Sequence, residues 1–203
     1  MIMKILSVGA EATLLKTTYL GKSAVIKKRI EKKYRNSILN TKIRTRRTKQ
    51  ECILLHSAKQ ALVLSPSIYK IDKKNSEIIM EFIDGKKVKN GLNKKNYKKI
   101  CKKIGEDIGR LHSDNIIHGD LTTSNIILTQ KKLAFVDFGL GFFSKKPEDF
   151  ATDLLSMKKT WLATHFKLKS GFNQILTGYK KTFADAKAII NKIAEIEART
   201  RYS

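Results

Sequence analysis

The sequence predicts an α+β protein of two lobes, the first mostly strands with one helix and the second mostly helices with one hairpin. Two observations carry this. Through the first eighty or so positions, short runs rich in β-branched and aromatic residues are punctuated by Gly, Ser, Asp or Asn. After "DGKKVKNG" the apolar residues recur at three or four instead. The change falls near Asp84-Gly85, so the expected division is residues 1–84 and 85–203, two lobes of one domain. A chain of 203 residues is long enough to bury a real core.

The runs "MKILSV", "TLLKTTYL", "SAVIKKRI", "SIYKI" and "EIIMEFI" read as strands, with Gly21-Lys22 closing a hairpin between the second and third. The polar segment from Asn40 to Ala61 carries Glu51, Leu54, Leu55 and Ala58, which predicts a helix over its second half, stopped by Pro66. Tyr97, Ile100, Cys101, Ile104, Ile108, Leu111 and His112 mark an amphipathic helix. "NIILT" and "KLAFVDF" flank Lys131-Lys132 as a hairpin, and a helix follows from Glu148 to Phe166. One or two more helices lie between Phe172 and Ala198, and "EARTRYS" reads as a basic tail without a core.

Composition narrows the function. The chain has 42 Lys+Arg against 18 Asp+Glu, a net charge of +24, which draws it toward polyanions such as RNA, DNA, an acidic membrane surface or an acidic partner. Cys52 and Cys101 are far apart and lack any CxxC or Cys/His pattern, so they predict buried free thiols and no zinc site. The N-terminus has no proper signal-peptide core, and no apolar run approaches the ~18 residues of a membrane span. A cytoplasmic protein is expected.

Two stretches carry chemistry. "IIHGDLTTSNIIL" sets Asp120 and Asn125 five positions apart between apolar flanks that can anchor a polar loop. "LAFVDFGLG" adds Asp137. Mg²⁺ prefers hard oxygen ligands and takes only one or two carboxylates, leaving substrate phosphates and water to complete its shell. An amide oxygen and a carboxylate meet that demand, and a further Asp can orient or deprotonate an attacking hydroxyl. His118 is given a loop-packing role.

"HGDLTTSN" and "DFG" closely resemble the catalytic and metal loops of protein-kinase-like phosphotransferases, with Gly119 where arginine is usual. The resemblance implies a minimal bilobal kinase fold using ATP and Mg²⁺. It makes Asp120 the catalytic base, Asn125 and Asp137 the metal ligands, and Gly139 the residue that lets the loop turn. It makes Lys27 in "AVIKKR" the lysine on the α- and β-phosphates, with Lys28 turned to the other face. Glu51 is its helix-borne partner. The glycine-rich cover is reduced to "SVGAEAT", which places Leu6, Val8, Gly9, Ala10, Glu11, Ala12 and Thr13 over the nucleotide. "IIMEFIDG" resembles the hinge, so backbone groups of Glu81 and Ile83 are expected on the adenine. Asp153 stands where a helix acid braces the catalytic loop.

The segment after Asp137 is short and has no A-P-E. With "GAEA", "VIKKR…KKYR", "RRTKQE", "HGDLTTSN" and "DFGLGFFS…EDFATDL", the chain resembles the PRPK-type small atypical kinases, the kinase/ATPase subunit of the KEOPS complex. That implies ATP hydrolysis and serine/threonine autophosphorylation in support of threonylcarbamoyladenosine modification of tRNA. The implied partners are a threonylcarbamoyl-transferase subunit, fused to the kinase in some archaea, and a small regulatory subunit on the first lobe. Lys32, Lys33, Arg35, Arg44, Arg46 and Arg47, with Arg199 and Arg201 of the tail, are the expected tRNA contacts. The alternatives are a small-molecule kinase of aminoglycoside type, which also uses a His-Gly-Asp loop but normally has a larger second lobe, and a non-catalytic RNA- and partner-binding scaffold.

Overall fold

The computed structural model describes residues 3–32 and 36–201, with side chains through 199. It is an α+β protein with a β-sheet lobe and a helical lobe. The first lobe is a five-stranded antiparallel sheet in the order β1-β2-β3-β5-β4, built from β1 (Lys4–Val8), β2 (Ala12–Tyr19), β3 (Lys22–Arg29), β4 (Ile68–Asp72) and β5 (Glu77–Glu81). The β2–β3 turn uses Leu20 and Gly21, both at positive φ, 48° and 75°. Two consecutive left-handed residues match the twist of the flanking strands, which is why the chain reverses there.

Helix α1 (Ser37–Gln60) crosses between β3 and β4 and is longer than its apolar pattern predicts. Its first half lacks an apolar stripe but is started by Asn36, whose side-chain oxygen accepts the Ile38 N–H at 2.9 Å. Thr48 is buried and returns its hydroxyl to the Arg44 carbonyl at 2.8 Å. The second half buries Glu51, Cys52, Leu54, Leu55 and Ala58 against the sheet and the other lobe.

The second lobe runs β6 (Lys86–Lys87), α2 (Val88–Gly91), α3 (Tyr97–Ser113), β7 (Ile116–Ile117), β8 (Ile126–Leu128), β9 (Leu133–Phe135), β10 (Phe142–Phe143), α4 (Pro147–Thr164), α5 (Gly171–Tyr179) and α6 (Ala186–Arg201). Helix α6 is one of the helices expected between Phe172 and Ala198; it buries Ile189 and Ile193 and runs on to Arg201 through part of the expected tail. The short strands set the loops. Ile116 and Ile117 pair with Phe143 and Phe142, and Ile126 pairs with Phe135, so residues 118–125 are held at both ends by buried backbone. A bridge from Leu64 to Ala134, with Phe135 N–H donating to the Leu64 carbonyl at 2.8 Å, stitches the first lobe to this base. One apolar core runs across both lobes from Val25 and Leu54 through Leu111, Ile116 and Phe135 to Trp161 and Ile193.

Helices α3 and α5 meet almost backbone to backbone. A Cβ at Gly105 would lie 1.8 Å from the Ile175 carbonyl oxygen, and one at Gly178 would lie 1.8 Å from that of Lys102. Both thiols, Cys52 and Cys101, are buried, and burial pushes them up to about 11 and about 12, so they stay protonated at neutral pH. No helix among the described residues is long and apolar enough to cross a membrane. Gly178→Ala is expected to cost about 2 kcal/mol or more by forcing α3 and α5 apart. Urea denaturation reads the cost directly, and an unchanged midpoint would refute the interlock.

Candidate active site

The site begins with alternation on β3. Lys27 and Arg29 are two apart and face inward, both buried, while Lys28 turns out to pair with Glu77 at 3.0 Å. Glu51 reaches down from α1 between the two cations. Its Oε1 accepts from Lys27 Nζ at 2.6 Å and its Oε2 from Arg29 Nη2 at 2.6 Å. Lys27 also donates to Asp137 Oδ1 at 2.6 Å, across 110 residues of chain. Four charges, Arg29–Glu51–Lys27–Asp137, therefore form a continuous line from the sheet lobe to the loop of the helical lobe.

This line sets the ionisation of its members. Burial, the largest influence, pulls the Lys27 ammonium down, but Glu51 and Asp137 more than reverse it and hold its pKa above the usual lysine value. Burial likewise pushes the Asp137 carboxyl up, and Lys27 overrides it, holding the group below the ordinary carboxylate range. Asp137 sits at φ 65°, unusual for a residue with a Cβ, and its Oδ1 also accepts the Gly139 N–H at 3.3 Å. The left-handed turn expected of Gly139 is taken by Asp137 instead, and space at Gly139 is tight. A Cβ there would stand 3.0 Å from Asp137 Oδ1 and 3.3 Å from both Lys27 Nζ and Arg29 Nη2.

The catalytic-type loop is held by two residues. His118, wholly buried, accepts the Asp120 N–H on Nδ1 at 3.3 Å. Its other nitrogen then carries the proton and donates to the Val136 carbonyl at 3.2 Å. The ring lies 4.5 Å from that of Phe138, so one histidine joins the Asp120 loop to the Asp137 loop. Asp153 of α4 accepts the N–H groups of His118 at 2.9 Å and Gly119 at 3.0 Å. Burial pushes its carboxyl up, but His112 and His118 hold it below the usual range. Gly119 is fixed at φ +78°, and a Cβ there would lie 2.3 Å from the Leu140 carbonyl oxygen. The backbone itself thus leaves no place for the arginine usual at this position.

Asn125 spends its amide nitrogen on the Asp120 carbonyl at 2.9 Å and on Asp120 Oδ2 at 2.8 Å. Its amide oxygen makes no hydrogen bond among the described residues. That oxygen and the half-exposed carboxylate of Asp137 are hard donors of the kind Mg²⁺ takes. No group of three or more His, Cys, Asp or Glu is placed to hold a metal ion among the described residues, so an ion on these two donors would complete its shell with substrate and water.

Lys27, Asp120 and Asp137 open on one cleft of about 240 Å³, also lined by Ser7, Gly9, Ala10, Glu11, Ala12, Leu14, Arg29, Gly139 and Leu140. Of the residues expected over the nucleotide, Leu6, Val8 and Thr13 lie outside this lining, because alternation along β1 and β2 presents Ser7, Ala12 and Leu14 instead. Glu81 ends β5 and uses its carboxylate on the Ser67 N–H at 3.0 Å, and Ile83 follows it beyond the lining. Arg29 was not anticipated, although the period-2 pattern that selects Lys27 selects it too. Also unforeseen is the Thr123 hydroxyl 3.0 Å from Nε2 of the buried His165, for which the sequence carries no signal.

The basic cluster divides. Lys32 donates to the Ala10 carbonyl at 2.6 Å, Arg47 to Glu11 at 2.8 Å and Arg44 to the Arg29 carbonyl at 3.3 Å. Together they tie the β1–β2 turn, the segment after β3 and α1 to one another. Arg46 instead faces an open surface hollow with Lys42, Lys49 and Ile53. Arg199 pairs with Glu148 at 3.2 Å. Lys33, Arg35 and the side chain of Arg201 lie outside the described residues.

The protein kinase domain family matches residues 4–166. The chain is 44% identical over 197 residues to a probable bifunctional tRNA threonylcarbamoyladenosine biosynthesis protein of Methanobrevibacter smithii, covering 96% of this chain but 36% of that protein. It is 38% identical over 216 residues to the KEOPS complex subunit Bud32 of Pyrococcus abyssi, covering 98% of this chain and 96% of that one. Against the EKC/KEOPS complex subunit bud32 of Dictyostelium discoideum it is 37% identical, covering 97% and 82%. The chain thus spans little more than a third of the bifunctional relatives and nearly all of the archaeal subunit. Among solved structures, the Rio2 kinase-ADP/Mg²⁺-phosphoaspartate complex from Chaetomium thermophilum shares the fold, with a TM-score of 0.71 at 14% identity over 98% of this chain and 71% of that one.

Replacing Asp153 by Asn leaves two loop N–H groups facing a poorer acceptor and is expected to cost about 3–5 kcal/mol. Because the folded Asp153 carboxyl ionises below its ordinary value of 3.8, its contribution is complete above that pH and fades as pH falls below it. The variant's deficit, read from urea midpoints, should therefore shrink below about pH 4.

Proposed function

The chain belongs to the protein kinase family and, within it, to the Bud32 kinases, and from that premise we propose that it is an ATP- and Mg²⁺-dependent phosphotransferase with ATPase activity, acting within a KEOPS-type assembly in threonylcarbamoyladenosine biosynthesis on tRNA. The observation that carries this reading is that Lys27, Asp120 and Asp137 line one cleft, with Glu51 bonded to Lys27 and Asn125 to Asp120; the reading takes the lobes to divide at Asp84-Gly85.

In this reading the triphosphate enters beneath Gly9 to Ala12, and Glu81 and Ile83 offer backbone groups to the adenine. Lys27 exchanges Asp137 for oxygens of the α- and β-phosphates while Glu51 keeps it in place. The Asn125 amide oxygen and Asp137 would hold Mg²⁺, which would neutralise charge on the phosphate oxygens. Asp120, fixed by Asn125 through one carboxylate oxygen, accepts the proton of the attacking serine, threonine or water hydroxyl with the other. The new bond forms at the terminal phosphorus as the bond to the bridging oxygen breaks, and ADP departs.

The partners in this reading are a threonylcarbamoyl-transferase subunit, a small regulatory subunit on the sheet lobe, and tRNA; the bifunctional relatives and the KEOPS subunits support an assembly that works on tRNA. The open basic hollow around Arg46 is the surface best suited to a tRNA backbone.

Radiolabelled ATP, assayed with and without tRNA, tests the chemistry. Asp137→Ala is expected to abolish Mg²⁺-dependent turnover with the fold retained, and Asp120→Ala to slow transfer about 10²–10⁴-fold at little change in ATP affinity. Undiminished hydrolysis by Asp137→Ala would remove the assigned role. Reversing Arg46 and Lys49 to Glu should weaken tRNA binding and lower its log–log salt slope by about two, and an unchanged slope would place tRNA elsewhere.

A further inference from the structure

The Lys27–Glu51 pair is assembled at 2.6 Å, and the structure contains a reason for it to stay so. Glu51 has both oxygens engaged, one by Lys27 and one by Arg29, each at 2.6 Å, and both cations come from the same face of one strand. A helix bearing a carboxylate gripped at a single point can swing away and take another partner. Here, displacing α1 would strand two buried cations and a buried anion together, because Lys27, Arg29 and Glu51 are each almost wholly enclosed. The grip continues along the helix. Arg29 Nη2 also donates to the Arg47 carbonyl at 3.4 Å, and Arg44 returns a bond to the Arg29 carbonyl at 3.3 Å. Gly119 meanwhile forbids an arginine in the loop that could sense a phosphate.

We propose that Arg29 is a positioning residue that locks α1 onto β3, so that Glu51 and Lys27 stand in working geometry permanently and need no phosphorylated loop to set them. Arg29 acts through Glu51, whose second oxygen it occupies, and leaves Lys27 to the phosphates. The inference rests on the phosphotransferase reading above, but its own tests do not depend on turnover alone.

Hydrogen exchange across α1 is measured in the wild-type chain with and without a non-hydrolysable ATP analogue and Mg²⁺. Equal protection of residues 44–58 in both states is expected, and strong protection appearing only with nucleotide would overturn the proposal. Kinetics give the second arm. Arg29→Gln is expected to lower kcat about tenfold or more with KM for ATP changed less than about threefold, and Arg29→Lys to recover most of the loss. Wild-type kcat per folded molecule in Arg29→Gln would also overturn it. If Arg29→Gln does not fold, the exchange experiment decides alone. Radiolabelled ATP turnover by the wild-type chain separates the two readings. No phosphoryl transfer or hydrolysis in that assay would sink the phosphotransferase assignment while leaving the exchange result on α1 to judge Arg29.

Discussion

A single row of alternating charge, Arg29–Glu51–Lys27–Asp137, joins the sheet to α1 and α1 to the loop beneath it. Its members are drawn from three distant parts of the sequence, and three of the four are buried. Buried ions are costly unless matched, so each link constrains the placement of the next. The sheet positions the cations, the cations position the helix carboxylate, and Lys27 reaches the Asp137 loop across the cleft. The apolar core gives the lobes their bulk, but this row gives them their register.

The opposite wall is organised by hydrogen bonds instead. Asp153 accepts two successive backbone N–H groups, His118 spans to Val136, and Asn125 secures Asp120 from the side. All of these partners are anchored on strands of two or three residues or on α4, elements with little freedom of their own. The result is a loop of polar residues held rigid inside an apolar frame, which is the condition a proton acceptor needs if it is to meet a hydroxyl in a defined direction.

Much of this was legible beforehand because it follows short periods. Period-2 alternation separates Lys27 from Lys28, and the period of three to four marks α3 and the second half of α1. The spacing of Asp120, Asn125 and Asp137 carries its own chemistry. What escaped reading has a common cause. The first half of α1 is stabilised by a cap, by Thr48 and by arginine contacts, none of which leaves an apolar pattern. Helix α6 runs past Ala198 into the basic tail, where no apolar residue marks its continuation. Arg29 was passed over because a third arginine-like charge in so basic a chain looks like surface, and only the tertiary fold reveals which cations are enclosed. The same arithmetic qualifies the net charge. Lys32, Arg44 and Arg47 are already engaged inside the molecule, so the attraction to polyanions belongs to fewer side chains than the count of 42 suggests.

The Lys27–Asp137 contact has a thermodynamic corollary. With that ammonium already paired to carboxylates of its own chain, a polyphosphate arriving as proposed would not fill an electrostatic void; it would displace a resident anion, and only the difference between the two attractions would contribute to affinity. On departure the carboxylate would close over the lysine again and lower the barrier to release. A site so arranged would trade tightness of grip for ease of exchange, as the proposed cycle of emptying and refilling requires.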